Sequence, residues 1–336
     1  MNVNNVAVFV GLDYHTSSVQ VCVMDAAGKT LGNRACANRV ESIREFAEQF
    51  GVVRGAAVEA CSGSADLAEE LVQRCGWEMS LAHPGYVSAM KQSPDKHDKG
   101  DAHVVADLQR LGYLPKVWLA PRAIREPRSL VRYRQQLVNE RRNTKLRLTA
   151  LLRERRLTGG TDRRWTKAWL TWLEHSADLG AHGNWIRDRH LATLRRLNQD
   201  IREVEQRLAE ATREDPVVTK LLEESGIGDV TAWTLRAEVG RFDRFRTGKQ
   251  LARFCGLTPC NASSGQRQAD AGLIRASNPQ LRATLIELGH RLRRCVPLYQ
   301  AMSRRMMEAG KPGSLITAAV ANRYIRKLFH RMKNAA

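Results

Sequence analysis

Four carboxylates and a serine are the residues of this sequence best placed to do chemistry. Asp13 closes the alternating run "VAVFVGLD", Glu59 closes "GAAVEA", and Asp98 and Asp101 open "KHDKGDAHVVADL". Carboxylates gathered within a few Å repel one another unless a cation sits among them. Mg²⁺ takes hard oxygen ligands together with substrate phosphate, and two such ions can stabilise both the attacking and leaving oxygens of a phosphoryl transfer. Asp101 shares a helical face with Val104, Val105 and Leu108, so its charge is expected against a core, where it needs neutralising. Four acids out of 35 Asp and Glu are equally compatible with ordinary surface positions.

The serine lies in "FCGLTPCNASSGQRQADAG", a stretch of small residues holding Ser263, Ser264 and Gly265. A serine hydroxyl is a weak nucleophile unless a base, a metal or a polarised electrophile activates it. Arg253, Arg267, Arg275 and Arg282 nearby could hold a scissile phosphate and stabilise its transition state. By composition alone this is a loop, and Ser-Gly in a loop is also an ordinary turn.

The elements that must position these groups follow from periodicity. Residues 6–13 alternate with Val6, Val8, Val10 and Leu12 on one face, and "SVQVCVMDAAGKTLGNRACA" reads as two strands around a turn at 25–29. "RVESIREFAEQFG" and "SADLAEELVQRCG" read as helices stopped by Gly51 and Gly76, with "GAAVEA" a short buried strand between them. A hairpin followed by alternating helices and strands indicates a mixed α/β sheet, with the acids at strand ends converging on one edge.

Residues 122–156 then carry twelve Lys or Arg against three acids, yet keep the stripe Leu130, Leu137, Thr144, Leu148 and Leu151. Residues 186–211 supply Leu194, Leu197, Ile201, Val204 and Leu208 in 3-4-3-4 spacing, a short heptad seam for an antiparallel helical arm or a coiled coil between chains. Between them Trp165, Trp169 and Trp172 fall on one helical face, a stripe that fits core better than a base-stacking platform. "LLEESGIGDVTAWTLRAEVG" reads as helix, tight turn, helix; Gly226 and Gly228 either serve that turn or let backbone N–H groups approach a phosphate. Helices return from 279 onward, with a second one-sided basic run between Arg282 and Lys333.

The bulk composition agrees with a nucleic-acid partner. The 336 residues hold 54 Lys and Arg against 35 Asp and Glu, a formal net charge of +19, and an excess of this size needs a polyanion. No apolar run of about 18 residues suggests a membrane span, and no basic leader opens the chain. The seven cysteines are scattered, without a C-x-x-C pair, which suits a reduced cytoplasmic protein without a zinc site.

"GLDYH", "VEACSG", "KHDKGDA", the basic "LVRYRQQLVNERRNTKLRLTALL", "SGIGDVTAW", "FRTGKQLARFCGLTP", "SSG" and "NPQLRATL" occur in this order between about residue 6 and residue 330. Together they resemble the insertion-sequence-110 family of DNA transposases, the bridge-RNA-guided recombinases related to Piv-type invertases. The resemblance implies an RNase H-like (RuvC-like) domain over 1–120, a basic helical or coiled-coil arm over 121–213, and a mainly α transposase domain over 214–336 with a helix-hairpin-helix-like element. It places a DEDD tetrad on Asp13, Glu59, Asp98 and Asp101, binding Mg²⁺ or Mn²⁺, and the essential serine on Ser264, with Ser263 its near neighbour. It further implies strand cleavage and exchange through a covalent phosphoserine–DNA link, double-stranded donor and target DNA, a noncoding bridge RNA, a homodimer or homotetramer, and a place at the nucleoid of a prokaryotic cytoplasm. Arg132, Arg134, Arg141, Arg142, Lys145, Gly226, Gly228, Arg253, Arg267 and Arg282 are the expected nucleic-acid contacts. The sequence departs from the pattern at His97, Cys61 and Ser277, none of them an assigned residue; His97 could add a metal contact. The rival enzyme reading is a metal-dependent nuclease or Holliday-junction resolvase that uses the acids without the serine.

Overall fold

The computed structural model describes residues 6–90, 97–157, 163–261, 270–275 and 277–333. They form two compact units, 1–121 and 122–336.

The first unit is built on β1 (Ala7–Tyr14), which pairs antiparallel with β2 (Ser18–Asp25) and parallel with β4 (Val52–Glu59). The turn after β2 is closed by Asp25, whose Oδ1 accepts from Lys29 N at 2.9 Å, and β3 (Thr30–Ala37) returns antiparallel to β2. Two helical connections then follow the rule that parallel neighbours need a crossover. The chain passes through α1 (Val40–Glu48) into β4, and through α2 (Ser64–Cys75) into β5 (Met79–Ala82), parallel to β4. After α3 (Pro84–Met90) comes α4 (Asp98–Arg110), and β6 (Lys116–Val117) pairs antiparallel with β5. The sheet order is β3-β2-β1-β4-β5-β6, the mixed sheet expected from the alternation of elements.

Strand periodicity divides this sheet into two faces. Val8, Val10, Leu12, Val19, Val21, Val23 and Val58 pack with Ile43 and Phe46 of α1 and Leu67 and Leu71 of α2. Val6 is 45 % exposed rather than part of that stripe, because β1 begins only at Ala7. The opposite face carries Cys22 and Met24 against Ala102 and Ala106, and Ala57 against Val105, all under α4.

The second unit starts with α5 (Arg122–Glu154), then α6 (Lys167–His175) and α7 (Gly180–Ala211). Arg134 reaches Glu205 and Arg141 reaches Asn198, so α5 and α7 run antiparallel. The heptad residues Leu194, Leu197, Ile201, Val204 and Leu208 are buried, and within the chain their seam is filled by α5. Trp169 is fully buried among Leu148, Leu152, Leu173 and Leu191, with Trp165 and Trp172 packed against it. Trp165 precedes α6 at φ 69° rather than lying on its face, but all three rings join the core.

Short helices follow: α8 (Pro216–Leu222), α9 (Asp229–Val239) and α10 (Gly248–Phe254). Asp215 caps α8, accepting from Val217 N and Val218 N at 2.9 and 3.2 Å with Pro216 at the first turn, the pairing that favours a helix start. The strands β7 (Pro259–Asn261) and β8 (Asp270–Leu273) pair antiparallel. Three helices complete the unit: α11 (Pro279–Cys295), α12 (Pro297–Glu308) and α13 (Gly313–Met332). Leu208, Leu221, Trp233, Leu251, Leu285, Val320 and Phe329 share one core, which therefore joins the C-terminal part of α7 to the helices that follow it.

Candidate active site

The acids collect where one helix start meets two strand ends. Parallel pairing sets Leu12 beside Val58, so the next residues, Asp13 and Glu59, sit at the carboxyl ends of adjacent strands. Alternation turns both positions away from the valine-rich face and toward the face that α4 covers. The helix crosses β1 at Gly11, where an added Cβ would lie 2.0 Å from the Ala102 carbonyl oxygen and 2.4 Å from Ala106 N. Only a residue without a side chain allows so close an approach, and it brings the first turn of α4, with Asp98 and Asp101, to the end of β1. A polar chain fixes that turn: Gln20 Nε2 donates to Asn33 Oδ1 at 2.7 Å, and Asn33 Nδ2 donates to the Lys99 carbonyl at 2.9 Å.

Asp13, Asp98 and His15 form the tight group. His15 Nε2 lies 3.3 Å from Asp13 Oδ2 and 3.5 Å from Asp98 Oδ2, and the three side chains offer donor atoms within 4.8 Å of one another. Burial holds the Asp13 carboxyl above its ordinary value; His15 opposes this, while the Asp101 and Asp98 charges add to it. Asp101 is buried, 7 % exposed, and Asp98 is exposed. Glu59 is half-buried at its strand end and stands outside the Asp13–His15–Asp98 group.

The donor set fits a divalent cation. Its oxygens are hard ligands of the kind Mg²⁺ and Mn²⁺ take, and the imidazole adds a nitrogen that Mn²⁺ accepts more readily. Burial first, and the Asp101 and Asp98 charges after it, penalise the ionised Asp13, and a bound cation would relieve both. His97 is exposed and precedes α4 without capping it through its side chain. The histidine that meets the acids is His15, two residues after Asp13, which the sequence pattern did not single out.

Ser264 and Arg267 lie outside the described residues, in 262–269. On either side of that segment β7 and β8 pair, with Pro259 opposite Leu273. The strand pair borders a groove of about 1130 Å³ lined by Leu257, Ala318 and Asn322 with Arg323 and Arg326. Arg282 donates from Nη2 to the Ile274 carbonyl and Ser277 Oγ, tying the chain beyond β8 to α11. Arg253 is exposed on α10.

The arginines of the arm differ in their commitments. Arg132 forms a two-pronged pair with Glu238 at 2.8 and 3.0 Å, and that carboxylate, 3 % exposed, also accepts from Asn278 Nδ2 at 2.6 Å. Arg134 is paired with Glu205 at 2.7 Å, Arg141 donates to Asn198 Oδ1 at 3.1 Å, and Lys145 lies 4.8 Å from the Trp165 ring centre. Arg142 is exposed. Gly226, at φ 87°, lets Leu288 and Leu292 of α11 pack against the turn before α9, and its carbonyl accepts from Arg291 Nη1 at 3.0 Å. Gly228 stands at the start of α9 in extended backbone. No described helix is long and apolar enough to cross a membrane.

Similarity to known proteins is consistent with this arrangement. Residues 10–155, holding all four acids, match a family model described as a transposase of the DEDD, IS110 type. Residues 218–304 match a second model, described as a transposase of the IS116/IS110/IS902 family. A Pseudomonas aeruginosa protein named "Probable family 20 transposase" is 27 % identical over 331 residues, covering 95 % of each chain. The transposase for insertion sequence element IS1111A of Coxiella burnetii is 25 % identical over 279 residues, 82 % of this chain and 75 % of that one. With two models of one family matched in order over most of its length, the chain belongs to the IS110/IS116/IS902 family of insertion-sequence transposases.

Proposed function

We propose that this transposase is an RNA-guided DNA recombinase that cuts and rejoins strands through Ser264, assisted by Asp13, Glu59, Asp98 and Asp101. The observation that carries the reading is the convergence of Asp13, Asp98 and Asp101 where β1 ends and α4 begins. In the first step the Ser264 Oγ attacks a backbone phosphorus; its proton passes to a base, and a deoxyribose hydroxyl leaves. A phosphoserine ester then holds the broken strand. Attack by a hydroxyl of the partner strand reverses the step and frees the serine, so the phosphodiester is conserved without ATP.

The acids would hold Mg²⁺ or Mn²⁺; when bound, the cation offsets their charge and polarises the phosphate. Asn33 and Gln20 keep the α4 start in place, and His15 orients Asp13 and Asp98. The first unit is read as RNase H-like, the arm as the platform for donor and target DNA and the bridge RNA, and the active species as a homodimer or homotetramer. The exposed arginines, Arg142 and Arg253 among them, are the natural phosphate contacts, whereas Arg132 and Arg134 serve the fold first.

A second reading is a metal-dependent nuclease or junction resolvase, favoured by one fact: the acidic group assembles within the first unit alone. Cleavage of labelled DNA spanning an element end, with the element's RNA supplied, tests the shared part of both. Asp98→Asn or chelation by EDTA is expected to abolish cleavage. Full cleavage by Asp98→Asn would contradict any role for the acids.

A further inference from the structure

A second polar site lies on the outer face of α11 and α12, and none of its residues belongs to the acidic group or the serine segment. A surface pocket of about 950 Å³ is lined by Glu287, His290, Arg293 and Arg294 from α11 and by Ser303 and Arg304 from α12. Helical spacing places these groups: 287, 290 and 294 recur along one face of α11, and 300, 303, 304 and 307 along one face of α12. Gln300 Nε2 donates to the Arg294 carbonyl at 2.6 Å and pins the corner between the helices.

Ser303 points to a ligand. It is 3 % exposed, and its Oγ has no hydrogen-bond partner among the described residues. A hydroxyl inside a helix ordinarily donates to the carbonyl one turn back, as Thr144, Thr234 and Thr317 do here at 2.9, 2.7 and 2.9 Å. Ser303 does not, and a buried hydroxyl left unpaired is costly. Around it the charge is positive. Arg293 is held in place, donating from Nη1 to the Gly313 carbonyl and Thr317 Oγ1 at 3.0 and 2.7 Å. Arg294, Arg304 and Glu287 are exposed, and among the described residues neither arginine is paired with a carboxylate.

We infer that this pocket binds a phosphodiester group of nucleic acid, with Ser303 donating to one oxygen and Arg293, Arg294 and Arg304 surrounding the charge. An oxyanion supplies what the site lacks: an acceptor for a buried hydroxyl and a counter-charge for several guanidinium groups. Naming nucleic acid as the source of the phosphate rests on the chain's reading as a DNA transposase.

The test uses the full-length protein, fluorescence anisotropy, and two labelled probes, a duplex DNA and an RNA of matching sequence, each titrated at several salt concentrations. Ser303→Ala keeps net charge and removes an unpaired hydroxyl. It is expected to leave the melting temperature equal or higher, yet to weaken binding on the order of tenfold with an unchanged salt slope. Arg294→Ala with Arg304→Ala is expected to weaken binding and reduce the salt slope by about one. Losses confined to one probe assign the phosphate to that nucleic acid; equal losses assign a backbone contact common to both. Unchanged binding by all variants overturns the site. A loss from the arginine pair but not from Ser303→Ala also overturns it, since that is the signature of diffuse charge. Wild-type protein that binds neither probe contradicts the nucleic-acid reading itself, and the pocket falls with it.

Discussion

Gly11 lies directly beneath Ala102: a Cβ at Gly11 would come within 2.0 Å of the Ala102 carbonyl oxygen. That contact is between backbones, so no side-chain rotation can relieve it. It seats α4 on β1 two residues before Asp13 and one turn after Asp98.

Gly11→Ala therefore pushes α4 off the sheet. The expected loss of stability is about 2–3 kcal/mol, the cost of overpacking a close contact, with cleavage reduced further than stability alone explains. Thermal unfolding and a cleavage assay at permissive temperature check this. An alanine variant of wild-type stability and activity would refute the close-approach argument.

The acid group should respond to cations in stability as well as in activity. Asp13 binds its proton more tightly in the fold than in the unfolded chain, because burial and the charges of Asp101 and Asp98 outweigh His15. Ionising it therefore subtracts from stability: the deficit is absent below the unfolded carboxylate pKa, grows as pH rises through the folded value, and persists at neutral pH. In EDTA at neutral pH, Asp13→Asn is expected to melt above the wild type. Adding Mn²⁺ should raise the wild-type melting temperature and leave Asp13→Asn unmoved. A cation shift of equal size in both proteins would place the bound ion elsewhere.

Two arginines on one helix are expected to behave in opposite ways. Arg132→Ala strips the main partner from the buried Glu238 and should cost about 2 kcal/mol; Asn278 remains, which keeps the loss below that of a fully abandoned ion. Arg142→Ala should leave the melting temperature unchanged and weaken DNA binding, with a salt slope shallower by about one. Denaturant titration and anisotropy on both variants decide it. Normal stability in Arg132→Ala would show the Glu238 pair to be dispensable.

Much of this arrangement was legible in the residues. Asp13 and Glu59 end strands because alternation ends there, and Asp98 and Asp101 open a helix because the apolar period begins just after them. The heptad leucines and the tryptophan stripe announced buried seams for the same reason: periodicity is a local signal. What stayed hidden depends on residues far apart in the chain. Nothing in "GLDYH" shows that His15 meets Asp98, and a glycine inside a strand looks like a weak position until the helix above it is known. The basic window 122–156 revealed its net charge, but not that Arg132 is claimed by Glu238, 106 residues away. The short strands β7 and β8 were masked by small and polar residues that read as loop. Ser303, in a helix of ordinary pattern, gave no sign at all.

A covalent serine mechanism assisted by the acids can be tested on one gel. The protein is incubated with its RNA, Mg²⁺ and end-labelled DNA spanning an element end, then denatured and resolved by electrophoresis. Label is expected to migrate with the protein, abolished by Ser264→Ala and weakened by Asp101→Asn. Cleaved DNA without any protein-bound label, persisting in Ser264→Ala, would contradict the serine mechanism and leave the acids acting as a nuclease.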